Sequence, residues 1–398
     1  MNSELFVTDC GVITPLGRGK QAVAQGLFAG SQRGIVVRAD LLPPRAVEVG
    51  AAPESLAPLP AALAAYDSRN NRLMQAALAE IAVAVEAAKS RYGSDRIAVI
   101  LGTSTSGIAD GEDALMHFRR EGRWPEHFDY RMQETGSLAE FAARSLDLTG
   151  PAYTIATACS SSAKVFASAR RLIRAGLVDA AVVGGADTLC RMTLNGFASL
   201  EALSKGRCNP FSANRDGITI GEGAAAFLLQ PEPGPVRLLG VGETSDAYHA
   251  TAPNPEGRGA GQAMREALAD AELAPEAIAY VNLHGTATPL NDAMEAKAVA
   301  DLFGSRVPCS STKPMTGHML GAAGGCEAAF LWLTLNPRTN PERLLPPHLW
   351  DGVADPALPA LNLVGGGTTF PPSPRTAMLS NSFGFGGSNM ALILGSAT

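Results

Sequence analysis

Cys159 lies in the stretch from Pro151 to Leu172, PAYTIATACSSSAKVFASARRL, and its surroundings suit a nucleophile. A β-prone run, Tyr153-Thr154-Ile155, tightens into the small residues Ala156-Thr157-Ala158 ahead of it. Ser160-Ser161-Ser162 then supply the polar residues of a helix start, and Ala163, Val165, Phe166, Ala169 and Leu172 recur at helical spacing. A cysteine at such a turn sits where unpaired backbone N–H groups and the positive end of the helix dipole converge. That position favours thiolate over thiol, and thiolate is the nucleophilic form. The other reading is a small cysteine packed beneath a helix, and this segment alone leaves both open. Two histidines stand in glycine-containing turns, His284 in NLHGTATPLND and His318 in STKPMTGHMLGAAGG. Each by itself reads as a hydrogen-bonded structural histidine.

The composition narrows the chemistry. The chain has 398 residues, 46% of them hydrophobic and 18% charged, which is a core-building balance. The formal net charge of −6, with no long basic run, argues against nucleic acid as the main partner. The six cysteines form no CxxC pair and no metal-ligand spacing, so neither a metal site nor a disulfide scaffold is expected, and a reducing, cytoplasmic setting fits. The N-terminal MNSELFVTDCGVITP carries Glu4 and Asp9 with no basic region before its apolar run, unlike a signal peptide. Met319 to Leu335, the most apolar helical stretch, contains Glu327 and several glycines and reads as a buried core helix rather than a membrane span.

The elements that must position these residues alternate between strand and helix. Leu5 to Ile13, Arg96 to Thr103, Asp179 to Ala186 and Ala224 to Leu229 read as strands, the middle two apolar on both faces. Helices are expected over Gln21 to Phe28, Arg69 to Ala88 (Leu73, Ala77, Ile81 and Val85 on one face) and Ser137 to Asp147; residues 31–60 read mostly as loop. The second part starts over: strands at Val236 to Val241, Ile278 to Leu283 and Val307 to Ser311, helices at Gly261 to Ala271, Asp292 to Phe303 and Met319 to Leu335, then strands at Thr376 to Ser382 and Ala391 to Leu394. The repeated order predicts α/β layering by internal duplication. In that alignment Cys159 and His318 each precede the long central helix of their own half, and a pseudo-two-fold would bring the two helix starts together.

Beside the Cys159 segment stand NLHGTATPLND, STKPMTGHMLGAAGG and NSFGFGGSN, together with NRDGITIGEGA. In this order they resemble the β-ketoacyl-[acyl-carrier-protein] synthases of the thiolase superfamily, in the elongating, two-histidine branch, and the likeness runs from VTDCGVITPLG to FGFGGSNMALIL. The resemblance implies a five-layered α/β/α/β/α fold of two similar halves, residues 1–235 with the nucleophile and residues 236–398 with the histidines, lysine and glycine-rich gate loop. It implies acyl transfer to Cys159 followed by decarboxylative condensation with a malonyl thioester. Cys159 would hold the acyl chain, and neutral His284 and His318 would stabilise the enolate through N–H donors. Lys313 would support the histidines electrostatically and Glu327 would belong to the same polar network. The N–H groups of Cys159 and Phe385 would form the oxyanion hole, with the Phe385 ring as gate. Thr251, Thr286 and Thr288 would bind the phosphopantetheine arm of the substrates, and no other cofactor is implied. Glu222 and Asp216 read as loop-bracing, and Asp292 as a helix N-cap.

The partner so implied is acidic acyl carrier protein, which needs a local basic patch. Arg69 and Arg72, in SRNNRLM, match the family's docking helix; Lys205 and Arg207 are further candidates, and Arg170, Arg171 and Arg174 could serve an interface. The family also pairs strands beside the nucleophile helix across a dimer two-fold, which points to DAAVVGGADT or its neighbour. A thiolase would carry a second cysteine where this chain has NSFGFGGSN, a priming synthase would have asparagine for one histidine, and a non-catalytic partner subunit would lack Cys159. Thr103-Ser104-Thr105-Ser106 lies where the family's pocket floor sits, and its small residues leave room for long or polyene chains. Fatty-acid elongation and secondary-metabolite assembly, as homodimer or as heterodimer with a related subunit, therefore both remain open.

Overall fold

The computed structural model describes residues 4–53, 55–373 and 375–397. Ten strands of its main sheet carry the architecture. They are β1 (Leu5–Thr14), β2 (Ile97–Gly102), β3 (Ala152–Ile155), β4 (Ala180–Asp187) and β5 (Gly223–Gln230), then β6 (Val236–Ser245), β7 (Ile278–Asn282), β8 (Pro308–Ser310), β9 (Ala377–Gly384) and β10 (Ser388–Ser396). Their order is 3-2-4-5-1 and then 6-10-9-7-8, with β1 and β6 antiparallel at the junction. In the first half β1–β5 and β5–β4 are antiparallel, while β4–β2 and β2–β3 are parallel. The second half repeats this: β6–β10 and β10–β9 antiparallel, β9–β7 and β7–β8 parallel.

Parallel neighbours need crossover connections, and helices supply them. They are α1 (Arg69–Tyr92), α2 (Ile108–Glu121), α3 (Ser161–Arg174), α4 (Arg191–Ser199), α5 (Arg258–Asp270), α6 (Pro289–Phe303) and α7 (Ala323–Leu335). The Ser68 hydroxyl caps α1 by accepting Asn71 N–H at 3.3 Å, and Leu73, Ala77, Ile81 and Val85 bury the expected face. Strand alternation divides the core. On β5, Ala225, Phe227 and Leu229 face the middle of the molecule, whereas Ala224, Ala226 and Leu228 face α1. Met390, Leu392 and Leu394 of β10 join the same middle core, and Ala391 and Ile393 pack outward beneath α5 and α6. The middle layer is α3 beside α7, giving the five layers helix, sheet, helix, sheet, helix. Gly324 lets these two helices touch: a Cβ there would come 2.7 Å from the Ala163 Cβ.

Several local expectations change. Within residues 31–60, Ile35–Arg38 and Val47–Gly50 form strands, and the second pairs in parallel with Ile220–Gly221. That partner is remote in sequence, so no local period announces it. The helix expected from Met319 begins at Ala323, after a 3-10 turn at Leu320–Ala322. Asp292 is not the N-cap of α6, since Thr288 holds that position. The β4 segment DAAVVGGADT is interior, hydrogen-bonded on both sides by β2 and β5, which are interior too. The edge beside the nucleophile helix is β3, whose ladder is open on one side. Among the described residues no helix is long and apolar enough to cross a membrane.

Candidate active site

Cys159 and His318 occupy corresponding places in the two halves, between β3 and α3 and between β8 and α7. At the Cys159 turn Ala158 adopts φ 52°, a left-handed value uncommon for alanine. Serines hold this turn rather than cap the helix. Ser161 Oγ donates to Ala158 O at 2.6 Å and accepts Thr157 N–H at 2.9 Å, and Ser160 Oγ donates to Thr157 O at 2.8 Å. Cys159 Sγ emerges 3.0 Å from His318 Nε2. The backbone N–H groups of Cys159 and Phe385 both favour the anionic form of this sulfur. The φ values of 82° at Gly386 and 77° at Gly387 permit the turn that follows Phe385.

The expected thiolate is not the resting form. Burial pushes the Cys159 thiol up to about 11, and Asp187 adds to the rise. Lys313 and the two N–H groups pull the other way without overcoming it. Desolvation therefore outweighs the helix start here.

His318 is held through its backbone: its N–H donates to Thr219 O at 2.7 Å and its carbonyl accepts Gly221 N–H at 2.9 Å. The His284 ring meets the His318 ring edge-on, with centroids 5.2 Å apart, and meets Phe383 at 5.8 Å. Both imidazoles lie well below the ordinary histidine range, through burial first and the Lys313 cation next, so both are neutral. Lys313 Nζ bonds Glu327 Oε1 at 2.5 Å, both side chains 1% exposed. The buried Glu327 of the sequence reading thus has its partner, and the cation beside the histidines is fixed in place. Sγ and one nitrogen from each histidine all lie within 4.8 Å of one another.

Glu295 was not singled out from the sequence. Its two oxygens accept His284 N–H at 2.8 Å and Gly285 N–H at 2.7 Å, and Asn381 Nδ2 at 3.1 Å. Burial raises this carboxyl to about 7 against those donors. Its signal was an acid on the buried face of α6, one turn from Asn291 and Ala298. Asp292, instead of capping, accepts Phe211 N–H at 2.8 Å and Ala287 N–H at 3.1 Å and braces the loop after His284.

A cavity of about 260 Å³ opens from Cys159, His284 and His318. Thr251, Thr286 and Thr288 all line it, as do Phe385 and Phe197. The Phe197 and Phe385 rings pack with centroids 5.6 Å apart, so α4 supports the gate, a contact without a sequence signal. Asp216, on the wall, accepts Ser204 Oγ at 2.6 Å and Lys205 N–H at 3.1 Å. Thr103 and Thr105 are not on that wall; both are buried, with their hydroxyls turned to Asp187.

The docking candidates separate. Arg69 pairs with buried Glu222, Nε to Oε2 at 3.0 Å, and Glu222 also accepts Ala52 and Leu189 N–H. Arg72 grips Asp67 through two bonds of 2.6 and 2.8 Å. The α1 arginines thus both stand in ion pairs within the chain. Arg170 and Arg171 of α3 pair with Asp270 and Glu243 of the second half, so they tie the halves together. Lys205 and Arg207 are exposed; the Lys205 N–H bond to Asp216 puts it beside the cavity wall, while Arg207 donates to Gln32 Oε1 at 2.6 Å and stands 4.0 Å from Glu48 Oε2.

The comparisons agree with this geometry. The family described as Beta-ketoacyl synthase, N-terminal domain, matches residues 3–233, and its C-terminal domain matches residues 236–345. The 3-oxoacyl-[acyl-carrier-protein] synthase 2 of Synechocystis sp. is 31% identical over 98% of this chain and 97% of its own length. The Staphylococcus aureus protein of that name is 33% identical over 82% of this chain and 84% of its own. Among solved structures, a chain of the Xenorhabdus doucetiae ketosynthase in complex with its chain length factor is 45% identical, with TM-score 0.93, over 99% of this chain and 98% of that one. A β-ketoacyl synthase from Burkholderia phymatum is 27% identical with TM-score 0.86, each chain covered in full at 100%. A nucleophile turn and two neutral histidines meeting at one sulfur, on a duplicated fold matched almost end to end, place the chain in the β-ketoacyl synthase family, as an acyl-transferring condensing enzyme.

Proposed function

We propose that this enzyme elongates a carrier-bound chain in polyketide or polyene assembly, as the catalytic subunit of a heterodimer with a related chain. The observation that carries the catalytic reading is Sγ of Cys159 at 3.0 Å from His318 Nε2, with the His284 ring beside them. In the first step the Cys159 thiol attacks the acyl thioester. The S–H proton leaves with the released phosphopantetheine thiol, and the Cys159 and Phe385 N–H groups hold the oxyanion. In the second, malonyl thioester enters past Thr251, Thr286 and Thr288 and loses carbon dioxide. His284 and His318 donate N–H to the enolate oxygen, its carbon attacks the acyl carbonyl, and Cys159 sulfur departs and regains a proton. Burial first, and then Lys313 locked by Glu327, keep both rings neutral. The scheme uses no cofactor beyond the carrier's phosphopantetheine arm, and six unpaired cysteines support a cytoplasmic setting.

The heterodimer rests on two supports: the 45% identical chain comes from a ketosynthase–chain length factor complex, and this fold exposes a fitting surface. β3 offers an unpaired edge. Beside the end of α2, Phe118, Trp124 and Phe128 stack in series with centroids 4.8 and 5.4 Å apart, and Trp124 is 48% exposed. Monomeric proteins seldom leave such a patch uncovered. Co-expression with the related subunit should give a soluble complex whose carrier-bound products, by mass spectrometry, are longer than those of this chain alone. Equal products with and without the subunit would reduce the reading to a self-sufficient fatty-acid synthase.

Carrier docking is assigned to Lys205 and Arg207, with the exposed Leu200 and Leu290 as an apolar rim on the cavity. Reversing both charges should slow association with carrier-bound substrate, and the deficit should shrink in salt, since exposed charges are screened beyond about 10 Å at 0.1 M. Small thioester mimics should react as before. Reversal at Arg69 should instead depress both reactions alike, because Glu222 is then left buried and unpaired by it. Stopped-flow rates across a salt series distinguish the two patterns.

A further inference from the structure

Asp187, the last residue of β4, is fully buried and has no part in the scheme above. Its Oδ1 accepts Thr103 Oγ1 at 2.7 Å, Ser104 N–H at 2.8 Å, Thr105 N–H at 2.7 Å and Thr105 Oγ1 at 2.8 Å. Its Oδ2 accepts Ala322 N–H at 3.0 Å. The two hydroxyls cannot turn away, since each also accepts a backbone N–H: Thr103 that of Ser106 at 2.9 Å and Thr105 that of Thr188 at 3.0 Å. Both therefore donate to Asp187, and a ring of donors requires the ionised, acceptor-only carboxylate.

The donors come from both halves of the molecule. Ser104 Oγ reaches Ala158 O at 3.3 Å, so the 103–105 loop supports the residue before the nucleophile. Ala322 lies four residues past His318, at the start of α7, where a negative charge is favoured by the helix dipole. The packing is tight: a Cβ on Gly321 would stand 2.5 Å from Ser104 Oγ and 2.8 Å from Asp187 Oδ2. A second bridge, Gly325 N–H to Ser162 Oγ at 2.7 Å, joins the starts of α7 and α3. Sγ and Nε2 thus come from different halves, and their 3.0 Å approach depends on what clamps those halves at this point.

We propose that Asp187 is a positioning residue for acyl transfer: its carboxylate ties the loop beneath Cys159 to the segment that follows His318 and so holds sulfur and imidazole in register. The inference rests on Cys159 and His318 being the reacting pair.

The test is Asp187→Asn in the full-length enzyme with its partner subunit, with rates divided by the titre of alkylatable Cys159. The amide places an N–H group against a donor. Acyl transfer should fall about 10–100-fold in kcat with KM for acyl carrier protein unchanged, the size expected of a misplacement near 1 Å. Alkylation of Cys159 by iodoacetamide at pH 8 should rise severalfold, since a negative charge that opposes thiolate is gone while Lys313, His284 and His318 stay. Loosening of the fold would also expose the buried thiol and quicken its alkylation, so the paired change counts only with a melting temperature near that of the parent. A normal kcat per titrated site, or alkylation and transfer falling together, would overturn the proposal. If Asp187→Asn does not fold, Thr105→Val decides: it removes the hydroxyl that donates to Asp187 and accepts Thr188 N–H while the carboxylate stays, and an unchanged kcat per titrated site overturns the proposal equally. Cys159→Ser, with its rate taken per mole of protein, guards the premise. Should that variant stay active, the site reading and this inference both fall, whereas an active Asp187→Asn beside an inactive Cys159→Ser removes only the role of Asp187.

Discussion

Replacing Cys159 by serine abolishes acyl-enzyme formation, with a loss in condensation on the order of 10⁴–10⁶, the range seen when a nucleophile acting in a concerted set is removed. Serine preserves the turn, since the left-handed Ala158 and the Ser160 and Ser161 bonds do not involve the thiol. The defect is therefore one of chemistry, and the melting temperature should stay near that of the parent. In the parent the thiol pushed up to about 11 makes a second, quantitative expectation. Alkylation by a small neutral reagent should quicken roughly tenfold per pH unit between about pH 7 and 10, because only the thiolate reacts. Intact-protein mass spectrometry after incubation with an acyl thioester, and a pH series of alkylation rates, check both. A plateau in alkylation by pH 7 would mean that the helix start and Lys313 do overcome burial, and that the resting group is thiolate.

What was legible in the sequence follows from physical locality. Strands buried on both faces announce themselves as continuous apolar runs, and α1 does so through Leu73, Ala77, Ile81 and Val85 at one spacing. The duplicated order placed Cys159 and His318 before corresponding helices, and the structure brings them into contact. What depends on burial was not legible. The thiol state is decided by desolvation, which sequence position does not carry, so a helix-start argument pointed the wrong way. Ion pairing hid in the same manner: Arg69 and Arg72 matched a docking helix in the sequence, which does not carry their pairing with Glu222, far along the chain, and with Asp67. Glu295 and Asp187 are short of motif for a related reason. A buried acid satisfied by backbone N–H groups needs no particular neighbours in sequence, only several donors that the fold collects.

Removing either histidine should cost malonyl decarboxylation about 10²–10³-fold, the loss that follows from deleting one preorganised donor to a developing oxyanion. The two losses differ in kind. His318 also touches Sγ, so His318→Ala should slow acylation of Cys159 as well, whereas His284→Ala, whose ring contacts His318 and Phe383, should leave acylation near normal. Asparagine substitutions keep an N–H donor but cannot shuttle a proton at neutral pH. If the histidines act as donors, His284→Asn and His318→Asn should retain more decarboxylation than the alanine variants. If they act as bases, asparagine should be no better than alanine. The neutral state of both rings adds a further mark. Their pKa values lie well below the ordinary histidine range, so decarboxylation should be flat across about pH 6.5–8, where an unperturbed histidine would still be titrating. Carbon dioxide release from malonyl-loaded carrier, followed across that range for the parent and the four variants, gives all of these readings. A rate that rises through pH 6.5–8 in the parent and loses that rise in His284→Asn would place a titrating base at His284 and exclude the enolate-donor role.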